Sequence, residues 1–259
     1  MLKDYKIAWF TEGGWQGKVS LDNPNMRNDV STKWLLGAEH YPIFQLPQVL
    51  QHFGENHFDF GIVTLPKTNV DKLMTFDMMG DLKKLCRKTI SMQEGPHWYF
   101  QDYTMEQQIW WYNSLTEFDM LFAHNWKDVN YYRGITNKLV QKMPTLMLAE
   151  RLGIIPRNEW SDAVMIGGNM VRWYGGFDSY VVAQQFDMPI SAPSMGRKID
   201  REDEMDIQHL PYMTWVEWIN TLSQYHVGVH MMPTHAAGTF TLNCAFHGIP
   251  CIGYKGLDT

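Results

Sequence analysis

Two short apolar runs in this chain each lead into a pair of glycines, and this pairing of a strand-like segment with an open turn restricts the fold more than any other feature. Residues 5 to 10 (YKIAWF) run into Gly13 and Gly14, and residues 163 to 166 (AVMI) run into Gly167 and Gly168. Apolar runs of this length bounded by glycine read as buried strands. Behind each opening, strand and helix signals alternate. In the first half, Asn28 or Asp29 caps a helix reaching about Gly37, and Pro47 sits in the first turn of LPQVLQHF. A strand FDFGIVTL, a helical pattern over 70 to 86, a strand over 89 to 92, a helix over 105 to 115 and the apolar strand DMLFA follow. In the second half, a helix over 177 to 185, a strand near Ile190, a helix over 214 to 225 and a strand over 227 to 231 precede a short helix opened by Gly238 and a last strand over 249 to 254. Strands separated by helices pair in parallel, because parallel neighbours need long crossovers. The pattern predicts an α/β chain of two doubly wound, Rossmann-like parallel-sheet domains. The boundary is expected near residues 145 to 160, dividing the chain into 1–150 and 151–259.

Composition narrows the function. With 259 residues, 45% of them hydrophobic, the chain can bury one large core or two modest ones. The net charge of -6 argues against a protein held mainly by nucleic-acid phosphates. Lys83, Lys84, Arg87 and Lys88 form a local basic cluster that reads as a solvated helix face, with an anionic acceptor or a membrane surface as the functional alternative. Cys86, Cys244 and Cys251 are an odd set with no apolar leader before them, so a reducing, cytoplasmic compartment is expected. No apolar run approaches the ~20 residues that cross a bilayer. The 11 tryptophans suit stacking on sugars and core packing equally well.

The segment VGVHMMPTHAAGTFTLNCAFHGIPCIGY, residues 227 to 254, resembles the donor-site block of the GT-B nucleotide-sugar glycosyltransferases. In that family a strand ending in proline is followed by a glycine-led helix and then a Gly-x-Pro turn into another strand. Gly238, Ala245, Gly248 and Pro250 match in order. IGGNMVRWYGGFDSYVVA, residues 166 to 183, resembles the opening of the same family's donor domain, and Gly13-Gly14, MQEGPHW and FDMLFAHN extend the likeness into the first half. The resemblance implies two Rossmann-like domains facing a cleft, an acceptor-side domain followed by a donor-binding one. It implies metal-independent transfer of a sugar from a UDP- or GDP-sugar, with the nucleotide sugar as substrate and no separate cofactor. Glycans, lipids, proteins and modified nucleobases are all open as acceptors. Three departures stand out. His235 and Asn243 occupy the places of a glutamate pair carried by many retaining members, Gly175-Gly176 stands where a lysine-glycine pair is usual, and the sequence stops at Asp258-Thr259, as expected of a minimal or truncated form.

A leaving diphosphate needs backbone N–H groups and a cation. Gly13, Gly14, Gly168, Asn169, Gly238 and Thr239 lie on the glycine loops and the glycine-led helix start, where backbone approaches an anion closely. Tight turns alone would also explain them. Arg172, Arg197 and Lys198 are the candidate cations, and His235 and Asn243 could hydrogen-bond sugar or ribose hydroxyls. Glu94 and His97, after the strand TISM, are candidate bases for the acceptor hydroxyl, as is His124 after DMLFA. His97 reads equally as a hydrogen-bonded loop histidine. The pairs Trp98-Tyr99 and Trp110-Trp111 are possible acceptor platforms, the second better explained by core packing, while Asp119 reads as a turn residue and Cys244 as a buried hydrophobe. No tight His, Cys, Asp or Glu ligand spacing suggests zinc. Two other functions compete with transfer. One is a nucleotide-sugar-binding module without turnover, in keeping with the replaced glutamates; the other is a different nucleotide-using enzyme such as an epimerase or a dehydrogenase. A dehydrogenase is disfavoured because no G-x-G-x-x-G follows the first strand.

Overall fold

The computed structural model describes residues 4–26, 28–66, 68–153, 160–194, 198–233 and 237–255. The chain divides into two compact units, Met1–Asn25 with Trp34–Met143, and Met26–Lys33 with Pro144–Thr259. In chain order the elements up to the division are β1 (Ile7–Thr11), β2 (Gly17–Lys18), α1 (Val30–Trp34), β3 (Glu39–Pro42), α2 (Leu46–Phe53), β4 (Phe58–Val63), α3 (Val70–Leu73), α4 (Met78–Leu85), β5 (Cys86–Met92), α5 (Met105–Glu117), β6 (Met120–Ala123), α6 (Trp126–Ile135) and β7 (Leu139–Lys142). Of these, most of α1 groups with the second unit.

In the first unit the sheet runs β2-β3-β1-β4-β5-β6-β7, parallel throughout except for the β2–β3 pair. β1 lies between β3 and β4, so successive crossovers leave it in opposite directions. Crevices that hold ligands in such sheets open at the carboxyl ends of strands around that point. Phe10, Phe58, Leu82, Leu85, Trp111, Leu121 and Tyr132 share one continuous core. The helical pattern over 70 to 86 is two helices, because Asp77 restarts the chain by accepting the Gly80 N–H at 2.9 Å. Trp111 is buried in the core and stacked on Phe100, and Trp110 packs against that core, so this pair is packing rather than a platform. The basic cluster is largely matched. Lys83 pairs with Glu117 at 2.7 Å, Lys88 with Asp119 at 3.1 Å and Arg87 with Asp59 at 3.5 Å. Asp119 does more than make a turn. Burial alone would raise its pKa, but hydrogen bonds from Thr89 and Lys88 outweigh that and hold it below the usual carboxylate range.

α5 starts with a reciprocal cap in which the Thr104 hydroxyl accepts the Gln107 N–H and the Gln107 side chain accepts the Thr104 N–H. Thr104→Ala removes one half of this box and is expected to destabilise the protein by about 1 kcal/mol. A urea unfolding midpoint that does not move would show that the helix start is held by packing alone.

The second unit continues with α7 (Ala149–Leu152), β8 (Val164–Ile166), α8 (Gly176–Ala183), β9 (Ile190–Pro193), β10 (Gln208–Leu210), α9 (Trp215–Leu222), β11 (Val227–His230), α10 (Thr239–His247) and β12 (Cys251–Gly253). Its strands are all parallel, in the order β10-β9-β8-β11-β12. Side chains along β11 alternate between faces, as pleating requires. Val227 and Val229 join Val164, Ile166, Met170 and Ala183 in the core under α8. Gly228 points the other way, where an added methyl would meet Phe240 and Cys244 of α10. Helices therefore cover both faces. Gly175 and Gly176 leave no room for side chains, since a methyl at the first would strike the Met231 carbonyl and one at the second the Met170 backbone. The Ser179 hydroxyl closes this contact by donating to the Gly175 carbonyl at 2.8 Å and accepting the Met231 N–H at 2.9 Å. Gly175 and Gly176 thus seat α8 against the end of β11. Among the described residues no helix is long and apolar enough to cross a membrane.

Candidate functional site

In the second unit the sheet order changes direction between β8 and β11, and the two glycine-led segments follow those strands. The Gly167 N–H donates to the Val229 carbonyl at 2.8 Å, joining the loop after β8 to β11. A methyl on Gly167 would strike the Phe240 ring, and Gly168 adopts φ +95, a left-handed conformation natural to glycine. Asn169 is buried and accepts the Val171 N–H at 3.4 Å, so it shapes the loop from inside. Gly238, with φ +74, leads directly into α10, a nine-residue helix with no side-chain cap. Backbone N–H groups in the first turn of such a helix, with the positive end of its dipole, suit an anion.

A cation joined to this turn is one that charge-run reading passes over. Lys33, in the Met26–Lys33 segment, is 3% exposed, and its ammonium donates to the Thr145 hydroxyl at 3.4 Å while lying 5.5 Å over the Trp215 ring. The Thr145 hydroxyl stands 3.3 Å from that of Thr239, the first residue of α10. Arg172 by contrast is exposed on a short turn after the glycine loop, and Lys198 is exposed and paired with Asp203 at 2.6 Å. Arg197 and His235 lie outside the described residues. Asn243 is fully buried, which departs from its reading as a sugar-contacting amide. Its carbonyl oxygen accepts from Asn28 at 2.6 Å and from the Trp218 indole at 3.3 Å, and its NH2 faces the Met147 sulfur at 3.5 Å. Cys244, next along the helix, is fully buried as expected.

In the first unit the expected residues again follow the carboxyl ends of strands. His97 opens a short turn after β5, and its Nδ1 lies 2.7 Å from Oδ1 of Asp128, which also accepts the His97 backbone N–H at 3.1 Å. Asp128 is in the first turn of α6, where a carboxylate is favoured by the helix dipole. Asn125 caps that helix and binds the carboxylate's other oxygen at 2.6 Å. Tyr131, one turn on, stacks on the imidazole at 3.9 Å between centroids. This is an oriented imidazole. The contact to Asp128 puts the proton on Nδ1 and makes Nε2 the acceptor. Glu94 is half-buried, three residues before His97 in the chain. His124 is buried, and its Nδ1 donates to the Met143 carbonyl at 2.8 Å, tying the end of β6 to the end of β7. Trp98 and Tyr99 meet edge to face and are half-buried.

The loop after β1 is held by a residue that sequence reading misses. His40 on β3 is fully buried; its Nδ1 donates to the Trp15 carbonyl at 2.8 Å and its Nε2 accepts from the Thr11 hydroxyl at 2.7 Å. That hydroxyl accepts the Gly13 N–H at 3.0 Å, and the Trp15 ring stacks on the imidazole at 3.8 Å. Burial pushes the His40 pKa down to about 4, against the Trp15 contact that raises it, so the ring is neutral near pH 7. Gly13 thus follows a turn pinned by the Thr11 hydroxyl and the neutral His40 ring, with Gly14 next along it.

The sequence matches no protein-family model and no curated protein sequence. Solved structures do share the fold. HepE from Anabaena, with UDP and glucose, matches at TM-score 0.59 and 11% identity, covering 97% of this chain and 81% of that one. An alpha-glucosyltransferase with UDP and a DNA 13-mer containing an HMU base matches at TM-score 0.61 and 10% identity, over 96% and 80%. A UDP-N-acetylglucosamine 2-epimerase from Rickettsia bellii matches at 0.51 and 11%, over 95% and 78%. The chain has the two-unit, Rossmann-like GT-B fold.

Proposed function

We propose that the protein transfers a glycosyl group from a UDP-sugar to an acceptor hydroxyl. The observation that carries this reading is the convergence, at the direction change of the second sheet, of the Gly167-Gly168 loop, the glycine-led start of α10 and a buried lysine. Neighbours of the same fold with UDP bound support the choice of donor. In this reading the second unit holds the diphosphate, α10 and Lys33 stabilising its charge. His97 of the first unit is the base. As the acceptor oxygen attacks the anomeric carbon, Nε2 of His97 takes its proton and the bond to the diphosphate oxygen breaks, its electron pair leaving with UDP. Asp128 keeps the imidazole in the tautomer that can accept.

Thermal denaturation of the purified chain against UDP, GDP, ADP and CMP tests the donor half. Ligand at a hundred times its Kd is expected to stabilise the native state by about 2.7 kcal/mol, and UDP should do so selectively. No shift with any diphosphate would refute the reading. Lys33→Met is expected to raise the UDP Kd by roughly one to two orders of magnitude, the contribution of a charge-assisted hydrogen bond; an unchanged Kd would remove Lys33 from the site. The epimerase neighbour favours one alternative. Incubation with UDP-N-acetylglucosamine and no acceptor separates them, because a C2-inverted product in the NMR spectrum identifies an epimerase. UDP binding with neither product would leave a binding module.

A further inference from the structure

β11 ends in His230, a buried histidine at the carboxyl edge of the second sheet. Gly167 and Gly228 lack side chains just where the Phe240 ring lies, and a methyl on either would strike it. Phe240 fills that seat and so draws the first turn of α10 to the carboxyl end of β11. His230, two residues beyond Gly228, shares its face of the sheet and meets the Phe240 ring edge-on, 5.6 Å between centroids. The imidazole is 6% exposed, yet among the described residues neither Nδ1 nor Nε2 has a hydrogen-bond partner. Among the described residues the other buried histidines are tied to protein groups: His40 to Thr11 and Trp15, His124 to the Met143 carbonyl and His247 to the Ile219 carbonyl at 2.9 Å. A ring buried with both nitrogens unmatched costs stability that a phenylalanine would not. Such a group, beside the glycine-led start of α10, marks a place where a ligand completes the hydrogen bonding.

We propose that His230 binds the donor directly, one ring N–H donating to a phosphoryl oxygen of the nucleoside diphosphate at the first turn of α10. This deepens the UDP-sugar reading and rests on it. Phosphoryl oxygen is the acceptor that this position offers most naturally, since the same turn presents backbone N–H groups and the Lys33–Thr145–Thr239 chain brings a cation. Burial keeps the free ring neutral, with a pKa near 4, so it enters the site as a donor and acceptor pair rather than as a second fixed cation.

Titration calorimetry with UDP on the full chain tests this, with wild type measured first. His230→Phe is expected to raise the UDP Kd by about tenfold to a hundredfold while melting at or above the wild-type temperature, because the unmatched polar atoms are gone. His230→Gln, which keeps an N–H donor, is expected to recover most of the affinity, and His230→Leu repeats the comparison if a six-membered ring disturbs the packing. Wild-type affinity in the phenylalanine or leucine variant overturns the proposal and leaves the donor reading standing. A wild-type chain that binds none of UDP, GDP or ADP overturns both.

Discussion

His97→Ala is expected to lower kcat for sugar transfer by two to four orders of magnitude, on the order of what a positioned general base contributes, with UDP affinity unchanged. The argument rests on orientation. An imidazole whose Nδ1 is fixed 2.7 Å from a carboxylate, and whose face is stacked on Tyr131, has one tautomer and one direction. Asp128→Asn should therefore reproduce much of the loss although Asp128 touches no substrate in this scheme. An amide can present its NH2 to Nδ1, which moves the ring proton to Nε2 and removes the acceptor. A base removed by truncation can be replaced from solution, so added imidazole should restore part of the His97→Ala rate and none of the Asp128→Asn rate. Wild-type kcat in the alanine variant would reduce His97 to a loop histidine that anchors the start of α6.

Why some of this was readable before the structure and some was not follows from where the determining contacts lie. Residues 163 to 166 and 227 to 229 are apolar because strands of a parallel sheet are buried on both faces, and that leaves a local trace. Glu39–Pro42 leaves none. It is an inner strand written EHYP, and His40 is tolerated there only because Thr11 and Trp15 take both its nitrogens from other parts of the chain. The same separation hides Asp128, 31 residues from His97, and Lys33, 112 residues from Thr145. A charge near a glycine loop singles out Arg172 and Lys198. Both are exposed, and burial, which decides whether a cation can act at full strength, is a tertiary property. Asn243 is the converse case. Its place on the donor helix is legible from the pattern, but Asn28 and Trp218 engage its amide from inside the unit.

Acidification should destabilise the protein steeply between pH 6.5 and 4, and part of that slope belongs to two histidines. In the unfolded chain both titrate near 6.5, whereas in the folded one burial pushes His40 and His230 down to about 4. Above pH 6.5 each is neutral in both states and adds no dependence. Below it the unfolded chain takes up protons that the folded chain refuses, so stability falls with pH until the folded groups titrate as well. The shift corresponds to at most about 3 kcal/mol per histidine. His40 exerts this on the first unit, where protonation would reverse the bond to the Thr11 hydroxyl, making that oxygen accept from the ring as well as from the Gly13 N–H. His230 exerts it on the second, with no protein acceptor for the added proton. Carboxylates titrate over part of the same range, so the decisive quantity is the difference between proteins. Urea unfolding at pH 7.5, 6 and 5 should show His40→Gln and His230→Phe each losing less stability than wild type on acidification. Parallel pH profiles for all three would mean that both rings gain a partner or water on protonation and are not trapped in the neutral state.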